Sequence, residues 1–130
     1  MKMNKSITLN RLLDLIREDG IIVKIENRIP YKDYGFPNNH AEVLNYINDA
    51  DGDLWDTMIF GYNKQFKYGD HFKTNEISGY LKSPTGNHKL LIKIPYLKYF
   101  DEDKHKTDIA NYIKQYKKNN NIQLEFIKIS

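Results

Sequence analysis

Four carboxylates fall within eight residues at Asp49, Asp51, Asp53 and Asp56. Ionised together they repel one another, and like charges raise carboxylate pKa values and cost stability. Two arrangements relieve that repulsion: a bound cation, or a solvated polar loop. The donors are oxygen only, with neither His nor Cys in the run, which selects a hard cation such as Mg²⁺, Mn²⁺ or Ca²⁺ over zinc. An EF-hand calcium loop starting at Asp49 has its first three acidic positions, but it needs Gly and Glu where the chain has Leu54 and Phe60. That reading fails. The neighbouring Trp55, and an apolar strand predicted over Thr57 to Phe60, favour the cation site over a plain surface loop: Asp53 and Asp56 then stand at the mouth of a packed element, a rigid platform for ligands.

The elements that would position this run follow from periodicity. Leu9, Leu12, Leu13 and Ile16 share one helical face, with Thr8 as N-cap and Gly20 in the left-handed position beyond the end. Ile21 to Glu26 reads as a strand, and Pro30, Gly35, Pro37, Asn38 and Asn39 as a loop. Phe66 to Lys82 predicts one or two strands, Pro84 to Asn87 a turn, and Lys89 to Ile94 another strand. Ile109, Tyr112, Ile113 and Tyr116 define a helix over Lys104 to Asn119, with Asp108 near its start and Lys117-Lys118 at its end complementing the dipole. A last strand spans Ile122 to Ile129. The expected fold is α+β: a small, mostly antiparallel, OB-like β-barrel with an N-terminal and a late C-terminal helix, in one domain over residues 1–130.

Composition narrows the class without naming a function. The chain has 130 residues, 40% hydrophobic and 28% charged, with 20 Lys+Arg against 17 Asp+Glu, a net charge of +3. So small a surplus argues against nucleic acid as the main partner. The absence of Cys excludes a disulfide scaffold, a thiolate metal site and a cysteine nucleophile. No apolar run reaches the roughly 20 residues that span a bilayer, and the polar start carries no signal-peptide core, so a cytoplasmic protein without membrane contact is expected. The four His stand at no ligand spacing. Ten Tyr among many Lys leave open an oligonucleotide-binding surface on a small barrel.

Asp51-Gly52-Asp53-Leu54-Trp55-Asp56 resembles the D-G-D-x-x-D signature of family I soluble inorganic pyrophosphatases. Tyr34-Gly35-Phe36 upstream is similar to the family's Tyr-Gly-aromatic segment. Gly69 and Gly79-Tyr80-Leu81-Lys82 resemble its glycine-punctuated strands, and Asn87-His88-Lys89-Leu90 its D-x-K segment. The helix from Ile109 to Lys117 is similar to the family's late helix, which ends in a functional Tyr-Lys pair. These matches run in the family's order across roughly Ile22 to Ile127, as in a shortened, divergent relative.

The resemblance implies Mg²⁺-dependent hydrolysis of diphosphate, with Mn²⁺ as a substitute, or of another phosphoanhydride, and a possible homo-oligomer. It implies metal ligation by Asp51, Asp53 and Asp56, catalytic roles for Asp53, Asp56 and Tyr34, and phosphate contacts from Lys24, Arg28, Lys89, Tyr116 and Lys117. Such chemistry needs an activated water and cations that neutralise both phosphoryl groups. One departure weighs against full activity. Where the family carries two further metal-binding carboxylates, this chain has Ser83, Pro84, Thr85 and Asn87. Metal binding and turnover should fall by orders of magnitude unless Asp70, Glu76 or Asp101 substitutes. The alternative expectation is a catalytically weakened module that binds a phosphorylated ligand, an oligonucleotide or a protein partner.

Overall fold

The computed structural model describes residues 4–27, 39–94 and 97–129. The elements run β1 (Lys5–Ile7), α1 (Leu9–Glu18), β2 (Ile21–Ile25), β3 (Asn39–Asn48), β4 (Leu54–Ile59), β5 (His71–Thr74), β6 (Glu76–Lys82), β7 (Lys89–Lys93), α2 (Glu102–Asn120) and β8 (Glu125–Lys128). The strands form one sheet in the order β5-β2-β3-β4-β7-β6-β8, with β1 added beside β3. The β1–β3 and β4–β7 pairs run parallel, so the sheet is mixed rather than purely antiparallel. A single residue, Asn75, joins β5 at one end of that order to β6 near the other. One residue reaches only about 3.5 Å, so the sheet must curl until its ends nearly meet. The result is a curled half-barrel with two helices, an α+β, OB-like arrangement.

Two cores lie on opposite faces of the curl, sorted by the period-2 alternation of the strands. Leu12 and Ile16 of α1 pack inside with Val23, Val43, Trp55, Ile59, Leu90 and Ile92. Met58, Phe60, Leu81 and Leu91 point outward and pack under Ile109 and Tyr112 of α2. Thr8 caps α1 as expected, its hydroxyl accepting from Arg11 N at 3.2 Å, and Gly20 adopts φ 81°.

Three expectations change. The strand predicted from Thr57 begins at Leu54, so Asp56 lies within β4 and not ahead of it. The last strand is shorter, Glu125–Lys128. Asp108 is not a first-turn dipole charge. α2 begins earlier, capped by Asp101 and opened by Glu102 and Asp103, which leaves Asp108 mid-helix and 2% exposed. There its carboxylate takes Lys104 Nζ at 2.9 Å and the Gly61 amide at 3.1 Å, fastening α2 to the end of β4.

His105, on the same helix, is 3% exposed and lies 3.0 Å from the Ser78 hydroxyl. Burial holds its pKa below the usual imidazole value, with Lys93 acting in the same direction. The unfolded chain then binds a proton that the folded chain refuses. Stability should therefore fall as pH drops below about 6.5 and level off once the folded pKa is passed. Denaturant melts at pH 7.5 and 5.5 should show this loss, and His105→Gln should reduce it.

Candidate functional site

Strand register builds the candidate site as one row across the outer face of the sheet. Lys24 of β2 stands opposite Glu42 of β3, Glu42 opposite Asp56 of β4, and Asp56 opposite Lys89 of β7. Residues two apart on a strand share a face, which adds Glu26 and His40. α2 lies over the same face, running antiparallel to β4. Asp108 holds its early part at Gly61, and Tyr112 packs on Phe60 at 5.6 Å between ring centroids. Its C-terminal end consequently reaches the row, where Lys89 Nζ lies 5.5 Å from the centre of the Tyr116 ring.

Asp56 is the hub. Its Oδ2 accepts from Lys89 Nζ at 3.0 Å, and its Oδ1 lies 3.1 Å from His40 Nε2. Lys89 is 5% exposed, so the ammonium group is almost wholly removed from water and needs this partner. Burial by itself would raise the Asp56 pKa, but the hydrogen bond from His40 and the charge of Lys89 outweigh it and hold the carboxyl below its ordinary value. Glu42 shifts the other way. Burial raises it first, and the neighbouring Glu26, Asp56 and Asp53 add repulsion that His40 only partly offsets.

The turn from residue 49 to 53 brings Asp51 to this hub. Oriented to satisfy its surroundings, the Asn87 amide nitrogen donates to Asp51 Oδ2 at 3.2 Å and to Asp56 Oδ2 at 3.0 Å. It thus occupies the space between two carboxylates that a bridging cation would take. Asp51 Oδ1 also accepts from the Asp53 amide at 2.9 Å, shaping the turn.

The structure therefore brings together Asp51, Asp56, Lys89 and Tyr116, with Lys24 farther along the row, 3.7 Å from Glu26. The Asp53 and Lys117 side chains are exposed and make no hydrogen bond or ion pair among the described residues. Arg28 and Tyr34 lie outside the described residues. Asp101 caps α2 and Glu76 pairs in register with Lys93, so neither replaces the missing carboxylates at Asp56. Asp70 likewise is not among the groups that act on Asp56. The residues that sequence reasoning missed are Glu42 and His40. Their signal was present in the alternation of His40 and Glu42 with the buried Ala41 and Val43.

Among the described residues no three His, Asp or Glu side chains converge as a cage for a metal ion. The donor chemistry still suits a hard cation held more openly. Glu26, Glu42, Asp51, Asp53 and Asp56 outnumber Lys24 and Lys89 on this face, and Asp51 and Asp53 are exposed to solvent. Mg²⁺ commonly takes only one or two protein carboxylates, with waters and ligand phosphates completing its shell.

Comparison with solved structures bears on the fold. The chain aligns with the inorganic pyrophosphatase of Helicobacter pylori at a TM-score of 0.55 and 18% sequence identity, over 85% of this chain and 83% of that one. The fold is pyrophosphatase-like. No protein-family model matches the chain, and no curated protein matches it by sequence. Within the pyrophosphatase-like fold, no helix among the described residues is long and apolar enough to cross a membrane.

The buried Asp56–Lys89 pair generates a stability prediction. Lys89→Met should cost roughly 1.5–3 kcal/mol, because it strands a carboxylate that has lost its charged donor. The Asp56 pKa should rise at the same time. Adding Asp56→Asn should recover part of the loss, and chemical denaturation of the single and double variants measures it.

Proposed function

We propose that this chain is a Mg²⁺-dependent phosphoanhydride hydrolase that acts on diphosphate. The observation that carries the reading is the charge row Lys24–Glu42–Asp56–Lys89, set on one face beside the Asp51–Asp53 turn. Carboxylates in excess of lysines repel a bare diphosphate, so the ligand must arrive with cations. Bound Mg²⁺ supplies that neutralisation and lowers the pKa of water. Asp51 and Asp53 are the carboxylates available to hold it.

The remaining roles belong to the chain alone. Asp56 stays ionised and fixes Lys89, whose other N–H groups are left to grip a phosphoryl oxygen. Tyr116 covers Lys89 and aims it, and the exposed Lys117 follows directly on the same helix end. Glu42, held above its ordinary value, is the better proton acceptor of the row. Arg28 and Tyr34 are assigned to phosphate and to the attacking water by resemblance only.

A second reading, binding without turnover, is favoured by one observation: Asn87 fills the space between Asp51 and Asp56 with a neutral amide. Phosphate release from diphosphate, with and without Mg²⁺ or Mn²⁺, separates the two. The hydrolase reading expects cation-dependent release that falls about a hundredfold or more in Asp56→Ala. Saturable binding of Mg²⁺–diphosphate without release would establish the second reading in its place.

A further inference from the structure

An open groove of about 390 Å³ lies on the far side of the two turns that carry Asp51 and Asn87. This volume is within the range of small-molecule sites. Its wall and floor are apolar, from Ile7, Leu9, Ala50 and Trp55, and polar groups of Thr8, Asp49 and His88 stand at its edge. The groove is built, not incidental. Asn48, 5% exposed, locks the two turns together, its amide donating to Gly86 O at 3.0 Å and its oxygen accepting from Ala50 N at 2.9 Å.

His88 is fixed as a donor. Its Nδ1 accepts from the Ser83 amide at 2.9 Å, which leaves the ring proton on Nε2. The imidazole is held in place between Trp55, near-parallel at 6.5 Å, and Tyr80 at 5.8 Å. A neutral N–H at the edge of an apolar slot suits a flat heterocycle that carries acceptor atoms. Only one turn separates the groove from the phosphate-side residues: Gly86 and His88 line the groove, while Asn87 between them faces Asp51 and Asp56 on the other side.

Resting on the hydrolase reading above, we infer that this groove is a nucleobase subsite, and that the preferred substrate is a nucleoside diphosphate. The base packs against Ile7, Leu9 and Ala50 with an acceptor on His88, and the diphosphate crosses the Asn87 turn to the Asp56–Lys89 row. Water then attacks the terminal phosphorus, passing a proton to Glu42, and the bond from that phosphorus to the bridging oxygen breaks. The bridging oxygen leaves with the nucleoside monophosphate, and phosphate is the second product.

Trp55 provides the test. It is the chain's one tryptophan, and its Nε1–H donates to Ile7 O at 3.2 Å in the groove wall, so a single indole N–H resonance reports on occupancy. With Mg²⁺ present, ADP and adenosine should shift this resonance and inorganic diphosphate should not. ADP should bind about tenfold tighter than diphosphate. Ala50→Phe, which adds bulk to the groove lining, should abolish the shift and the preference. An unmoved indole, or a preference that survives Ala50→Phe, overturns the inference. If diphosphate binds and is cleaved but ADP gains nothing, the groove inference fails and the hydrolase reading stands. If adenosine moves the indole while diphosphate neither binds nor is cleaved, the hydrolase reading fails and the base site stands.

Discussion

The ion pair between Asp56 and Lys89 sits on the seam of the molecule. β1 to β5 are linked among themselves through β2 and β3, and β6, β7 and β8 form a second group. Among the described residues the only strand ladder between these groups is β4 parallel to β7, and Asp56 and Lys89 stand opposite each other in it. Lys89 is 5% exposed, and a buried ammonium group needs a hydrogen-bonding partner, which Asp56 supplies. The next ladder pairs, Thr57–Leu90 and Met58–Leu91, are buried and continue the join into both cores. A local polar requirement and the union of the two strand groups are thus met by one contact.

The same contact gives the outer face its chemical character. Asp56 is held low and Glu42 is pushed high, although the two stand side by side in register: His40 and Lys89 outweigh burial at Asp56, while at Glu42 burial comes first and Glu26 adds to it more than His40 removes. Environments that drive neighbouring carboxylates apart make one a fixed charge and the other a proton acceptor. The pyrophosphatase-like fold supplies the platform for that division. Asn87 then limits how closely a cation can approach the two nearest carboxylates.

What could be read from the sequence was local. Both helices were legible from four residues on one face, and for α1 also from its cap Thr8, whereas the Asp101 cap of α2 was not evident and that helix begins two residues earlier than expected. β3 was not legible, since Asn39 at its start reads as part of a loop, and its alternation is broken at Asn45, which has φ 74°. β1, three residues long, carries too few positions to show a period. Asp51, Asp56 and Lys89 were named from motif resemblance. The direct contact of Asp56 with Lys89 depends on a parallel register between residues 33 apart, which no local pattern encodes, and Asn87 joins Asp51 to Asp56. Glu42 and His40 enter the site only through the register of β3 with β4. Asp108 was misread because its partner, the Gly61 amide, is remote in sequence.

Asn75, the lone residue between β5 and β6, bears on the order of folding. The hairpin pairs β3–β4 and β6–β7 can form early through short connections, whereas β4–β7, β1–β3, β6–β8 and β2–β5 join residues 33 to 53 apart. Contacts of large sequence separation form late because loop-closure entropy precedes their reward. The tight Asn75 link tethers the two groups at one edge of the sheet, and the β4–β7 ladder joins them across it. Asp56 and Lys89 meet only once that non-local ladder has formed, so a partly folded chain without it has no assembled charge row.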